Sequence, residues 1–272
     1  MRPSSNISSS LQKKRKKHLI RKLILLGVLA LCLIATFVFI IRLPSLKIKT
    51  VSVVGNTSVS QDEILAIANP IIAKEYLWII PTDNFFFLHR SDIQKQLIGQ
   101  IQKLQSVDVS FTDMHDVQIS VTERQLASTW CDGVPTFSQN CYGMDTNGLI
   151  FEQASSTLST STQTYFGLIT DANPIGETYF SGHFVDATNF FTALAKMNLN
   201  PVSFYATSPD NYEINLAYGG KIIVDNSKTF VQDATDVQAV IDNKYLKTDV
   251  ASLKKINYID LRYGNKVVLD FH

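Results

Sequence analysis

Cys131 and Cys141, ten residues apart, are the side chains in this sequence best suited to covalent chemistry. A thiol beside a histidine can become a nucleophile, because the imidazole takes the proton and leaves a thiolate. A pairing of Cys131 with His115 would make an exported thiol enzyme of the transpeptidase kind. Two thiols on either side of a short segment can instead oxidise to each other, and here they flank DGVPTFSQN, a predicted hairpin. His89, His115 and His183 fall in different elements, without the i, i+4 or short-loop spacing that a zinc site needs. Glu123-Arg124 stands at a predicted strand exit with no second carboxylate nearby, so a surface ion pair or a domain-joint contact fits it better than acid/base work. Gly219-Gly220 reads as a hairpin turn rather than a phosphate-cradling loop. The composition therefore calls for no cofactor and no metal, and binding is left as the main possibility.

Whatever the exported residues do, Leu23 to Ile41 must position them. LILLGVLALCLIATFVFII has nineteen consecutive uncharged residues. As a helix it would be about 28 Å long, close to the ~30 Å hydrocarbon layer of a bilayer. Lys13, Lys14, Arg15, Lys16, Lys17, Arg21 and Lys22 precede it, and the first acidic residue comes only after residue 41. The positive-inside bias then keeps the amino terminus in the cytoplasm and exports residues 42 to 272. The apolar run is longer than a usual signal-peptide core, and its exit, Phe-Val-Phe-Ile-Ile-Arg-Leu-Pro, lacks the small residues of a cleavage site. An uncleaved anchor is expected.

Export settles two further points. Eight of the 25 Lys and Arg lie in the first 22 residues, so the remainder is acidic overall and unsuited to nucleic acid. The basic run itself is explained by topology and anionic lipid. An oxidising exterior favours a Cys131–Cys141 disulfide over two free thiols. Closing so short a loop would stabilise the fold by about 2 to 3 kcal/mol. Cys32 belongs to the apolar run and is read as inert packing.

Residues 1 to 12 are polar and serine-rich, and with 13 to 22 they are expected to form a disordered basic tail. After a short joint at Pro44-Ser45, Ile48 to Val54 is a predicted strand stopped by Gly55-Asn56. Ser60-Gln-Asp-Glu63 and Ser91-Asp-Ile-Gln94 are predicted capping boxes. The first opens a helix ending near Asn69-Pro70 or shortly after. The second opens a helix that places Ile93, Leu97, Ile98, Ile101 and Leu104 on one side. Val107, Val109, Phe111 and then Val117, Ile119, Val121 alternate as a hairpin. The order strand, helix, helix, strand, strand would put two helices on one face of a three-stranded sheet. From Gln125 the pattern is mostly strand, with helices expected at 186–197 and 230–246 and a Ser/Thr loop at 155–164. The fold class is thus α+β: one transmembrane helix (23–41), a first exported domain (46–124) and a mixed β-rich domain with two helices (125–272).

The basic tail, anchor and short joint, followed by VSVVGNTSVSQDEI, VDVSF, QISVTERQLASTW and YIDLRYGNKV, resemble the bacterial cell-division proteins of the FtsQ/DivIB type. Leu46 to about Arg124 resembles their POTRA domain. The resemblance implies a non-enzymatic divisome protein of the septal membrane, one that links FtsB/DivIC-type and FtsL-type partners, regulates septal peptidoglycan synthesis and has the synthase as a further partner. A generic POTRA scaffold for protein export is the other reading of that domain, but the chain has one such unit and no room for a barrel.

The final strand carries the binding expectation. In Lys266 to Phe271 one set of alternate residues, Val267, Leu269 and Phe271, can pack inward while Lys266, Val268 and Asp270 face out. With no strand after it, its outer edge can accept a partner strand by β-augmentation, or it can be a plain edge blunted by Lys266 and Asp270. The resemblance favours the first, and by its motif implies Tyr263, Lys266, Val267, Val268 and Leu269 as the contact residues.

Overall fold

The computed structural model describes residues 7–76, 80–81, 83–138, 140–154, 163–264 and 266–272. The protein is a mixed α+β molecule with one long amino-terminal helix and a large β-rich body. It divides into two compact units, Met1–Gln100 with Ser106–Thr122, and Ile101–Gln105 with Glu123–His272.

Helix α1 spans Ile7–Ile41. It begins well before the apolar run, so within residues 7 to 22 the expected disordered tail is replaced by helix. Lys, Arg, Leu and Gln are good helix formers, and extending an existing helix avoids the cost of a new nucleus. Residues 1–6 lie outside the described residues. From Leu19 to Ile41, 23 residues, the helix is long and apolar enough to cross a membrane and is almost wholly exposed. Thr36 Oγ1 donates to the Cys32 carbonyl at 2.8 Å, so that hydroxyl is satisfied within the helix itself.

A one-turn 3-10 helix, Pro44–Leu46, leads into β1 (Thr50–Val54). Helix α2 (Gln61–Ile72) is capped by Ser60, whose hydroxyl accepts from the Glu63 amide at 3.1 Å. It runs past Pro70 and buries Ile64, Ala68 and Ile72. Two-residue strands β2 (Glu75–Tyr76) and β3 (Ile80–Pro81) then pair, a small ladder that the periodicity did not predict. Helix α3 (Arg90–Gln100) starts one residue before Ser91, so Ser91 is inside the helix rather than its cap. The His89 carbonyl accepts from the Asp92 and Ile93 amides instead. Because α3 stops at Gln100, Leu104 opens the next strand rather than continuing the helix. Strands β4 (Leu104–Phe111) and β5 (Asp116–Glu123) complete a sheet of order β1-β5-β4, with β1 parallel to β5. Ile93 and Leu97 on the helix, and Val117, Ile119 and Val121 on β5, are buried. Each such side chain contributes about 1.5 to 3 kcal/mol.

Among the described residues the second unit is built on nine strands: β6 (Ser128–Cys131), β7 (Cys141–Met144), β8 (Ile150–Gln153), β9 (Thr164–Gly167), β10 (Pro201–Ser208), β11 (Asn211–Leu216), β12 (Lys221–Asp225), β13 (Ile256–Tyr263) and β14 (Lys266–Phe271). Their order is β14-β13-β12-β11-β10-β9-β6-β7-β8. The pairs β6/β9, β9/β10 and β12/β13 are parallel and the other five neighbouring pairs antiparallel. The parallel pairs need crossovers, two of which carry helices. Helix α4 (Phe184–Lys196) buries Phe184, Phe190, Phe191 and Leu194 against Tyr165, Tyr179 and Phe204 in an aromatic core. Helix α5 (Phe230–Asp242) has a full capping box between Thr229 and Gln232. It ends four residues before the expected Leu246, where Asn243 caps it and Lys244 turns left-handed at φ 63°. A third helix, the single turn α6 (Val250–Leu253), exceeds the two expected, because the Asp249 carboxylate accepts from the Ser252 amide and closes one turn locally. Most of the Ser/Thr loop expected at 155–164 lies outside the described residues.

Candidate functional site

Strands β13 and β14 pair antiparallel from Ile256↔Phe271 to Tyr263↔Lys266. Gly264 at φ 63° supplies the left-handed residue that a two-residue connection needs; Asn265, the other, lies outside the described residues. The register shifts twice, between Ile256 and Tyr258 and between Asp260 and Tyr263, so β13 carries an extra residue near each end.

At the upper bulge an unusual fork forms. Arg262 donates from Nε to Asp260 Oδ1 at 2.9 Å, from Nη2 to Oδ2 at 2.6 Å, and from its backbone N–H to Oδ1 at 3.1 Å. Burial of Asp260 alone would raise its pKa, but the three bonds and the charge of Arg262 outweigh it and hold the carboxyl below its usual value. The fork fixes the backbone that turns into Tyr263.

On β14, Val267 and Leu269 pack against the core and Lys266 and Val268 are exposed. Tyr263 is 57% exposed and so lies outside the core. Phe271, expected to face inward with Val267 and Leu269, is instead exposed. The bulge at Asn257 increases the local twist and carries the strand end off the core. Among the described residues β14 is hydrogen-bonded on one side, by β13, and stands at the end of the sheet. Of the five expected contact residues, Tyr263, Lys266 and Val268 thus face outward, and Val267 and Leu269 hold the strand down.

Lys228 supports the turn from below. Its Nζ donates to the Gly264 carbonyl at 2.9 Å and to Asp236 Oδ2 at 2.7 Å, and lies 3.6 Å from Asp233 Oδ1. Burial disfavours the ammonium, but the two carboxylates outweigh it and raise its pKa. Asp233 is buried, with Oδ2 unpartnered. That burial pushes its carboxyl up to about 6 against the pull of Lys228, with Asp236 and Asp225 adding to the rise. Sequence reasoning missed this cluster, and no spacing rule joins Lys228 to a turn 36 residues away.

The residues that suggested chemistry are placed otherwise. Cys131 and Cys141 sit opposite each other across β6 and β7 and are joined as a disulfide, so Cys131 carries no thiolate. His115 Nδ1 lies 3.0 Å from the Lys47 carbonyl. Among the described residues no group of three His, Cys, Asp or Glu is placed to hold a metal ion. Arg124 makes a largely buried ion pair with Asp145, rather than a surface one, and donates from Nε to the Gln102 carbonyl at 2.9 Å. Asp145 Oδ1 also accepts from the Asn147 and Leu149 amides, which ties Arg124 to the turn before β8.

The chain matches no protein-family model, and no curated protein matches it.

Proposed function

We propose that this chain is a membrane-anchored, non-enzymatic cell-division protein of the FtsQ/DivIB type. Its terminal hairpin accepts a strand from an FtsB/DivIC-type partner and, with FtsL-type proteins, brings regulation to septal peptidoglycan synthesis. Helix α1 is the single anchor, with the amino terminus cytoplasmic, residues 42 to 272 outside and the molecule at the division septum. The order β1-α2-α3-β4-β5, with β1 parallel to a central β5, supports reading the first unit as a POTRA domain, interrupted only by the β2/β3 ladder.

The observation that carries the reading is the end position of β14, its backbone unpaired on the outer side among the described residues while Val267 and Leu269 seal its inner face. An edge strand left long and without a bulge of its own is a template for main-chain pairing. Tyr263 beside it supplies an aromatic of the kind that anchors interfaces. Tethering both partners to one membrane raises their effective concentration, so a weak strand contact suffices.

The test is capture of a membrane-anchored FtsB/DivIC-type partner by the full chain and by its Val268→Pro variant. Proline removes one donor from β14 and is tolerated best on an edge. Capture is expected to be lost with the circular dichroism of the chain unchanged. Undiminished capture by the folded variant would remove strand addition from the reading.

A further inference from the structure

The last turn of α1 ends with four carbonyls, each accounted for. Arg42 N–H donates to Val38 and Phe39, Leu43 N–H to Ile40, and the side-chain amide of Asn84 to Ile41 at 2.7 Å. Asn84 is fully buried, and its other amide atom, Oδ1, accepts the Phe86 N–H at 2.9 Å. One side chain therefore links the end of the apolar helix to Phe86. Adding the width of an amide, the Phe86 nitrogen lies within about 8 Å of the Ile41 oxygen.

The same loop is stitched along the joint. Ile48 N–H donates to the Asp83 carbonyl, Phe85 N–H to the Leu46 carbonyl, and Lys47 pairs with Asp83 at 3.0 Å. Phe85 is half-buried against Phe111, with ring centroids 4.5 Å apart, whereas Phe86 is 67% exposed. Phe86 meets Phe85 edge to face at 5.2 Å, and the turn holds the rest of its ring out into solvent.

We infer that Phe86 is a second membrane contact, seated in the outer interfacial layer of the bilayer that α1 crosses. The inference rests on α1 being that anchor. If Ile41 marks the outer end of the hydrocarbon, the interfacial layer extends about 5 to 8 Å beyond it. A backbone nitrogen held within about 8 Å of the Ile41 oxygen keeps the Phe86 ring within reach of that layer. Phe39 and Ile40, both exposed on the last turn of α1, bring the helix's apolar surface up to the loop. Arg42 and Lys49 on the joint favour anionic headgroups. The contact would fix the tilt of the first unit on the membrane.

The test uses the full chain in vesicles of equal parts phosphatidylcholine and phosphatidylglycerol, labelled at one thiol with an environment-sensitive nitrobenzoxadiazole dye. Three samples carry the dye at Cys32, or at Phe86→Cys or Gln61→Cys in a Cys32→Ala background. Gln61 is exposed, beyond the far end of β1. Spin-labelled lipids serve as quenchers within the bilayer, and iodide serves in the water. Loss of emission is expected at Cys32 with a deep quencher and at position 86 with a shallow one, while position 61 responds to iodide alone. If Cys32 is quenched but position 86 is as open to iodide as position 61, the anchor stands and the inference falls. Equal lipid quenching at 86 and 61 overturns it too, because the contact would then not belong to the loop. No lipid quenching at Cys32 removes the anchor and the inference together.

Discussion

Arg262 grips the carboxylate of Asp260, two residues before it on the same strand, with two guanidinium nitrogens and its own backbone amide. Residues two apart normally point the same way along a strand, and the bulge between them gives the fork its geometry. Charge-assisted bonds of this kind are worth about 1.5 to 3 kcal/mol. Arg262→Ala should cost about that much in urea unfolding at neutral pH, and Arg262→Lys should recover only part of it, since an ammonium cannot fork. The Asp260 carboxyl titrates below its unfolded value, so its stabilisation is complete above about pH 4 and is lost as the pH falls further. The gap between wild type and Arg262→Ala should close in acid.

Asp233 works in the opposite direction. Its folded value of about 6 lies above that of an unfolded aspartate, so the folded protein holds the proton more tightly. Stability is highest with both forms protonated, falls as the pH rises from about 4 to about 6, and is level above that. The loss corresponds to about 3 kcal/mol. Asp233→Asn cannot titrate, so its stability relative to wild type should rise across that window and stay flat above it.

Lys228 holds the Gly264 carbonyl without belonging to β14. Lys228→Met should leave the edge strand in place yet loosen the turn, weakening partner capture severalfold. Amide exchange at Tyr263 and Lys266 should quicken in the same variant. Full affinity with unchanged exchange would deny the turn any part in binding.

The disulfide is at the other end of the sheet, across β6 and β7, far in strand order from β14. Cys131→Ser with Cys141→Ser should lower stability by about 2 to 3 kcal/mol. Partner capture should not change. Any thiol-dependent turnover in the wild-type protein that vanishes in the variant would revive the enzyme reading.

Gly55 closes β1 at φ 87°, and a Cβ there would stand 2.2 Å from the Val121 carbonyl oxygen of β5. Gly55→Ala should destabilise the first unit by well over the ~1 kcal/mol of an ordinary glycine replacement, because it adds a backbone clash to the conformational cost. Thermal unfolding followed by Trp130, in the second unit, in a Trp78→Phe background should move less than far-ultraviolet circular dichroism does.

Elements with a clean period were legible from the residues. Val117, Ile119 and Val121 alternate and are buried, and Ser60 caps α2 as its spacing requires. What the period could not give was where it stops. Leu104 keeps helical step with Ile93 and Leu97, yet the chain changes element between them. Phe271 keeps strand step with Leu269, yet a bulge on the neighbouring strand turns it outward. At the candidate site the outward set Lys266 and Val268 was readable from alternation. The fork at Asp260 and the brace from Lys228 were not, since both depend on a register shift and on a contact between distant segments.

Strand β9 has consequences out of proportion to its length. It pairs with β6 on one side and β10 on the other, so among the described residues the strand ladder from the disulfide-bearing leaf to the β14 leaf runs through Thr164–Gly167. Four residues splice two halves of one sheet. A chain cut before Thr164 leaves this strand with the carboxyl-terminal fragment, and the amino-terminal fragment should rejoin it by pairing β6 to β9.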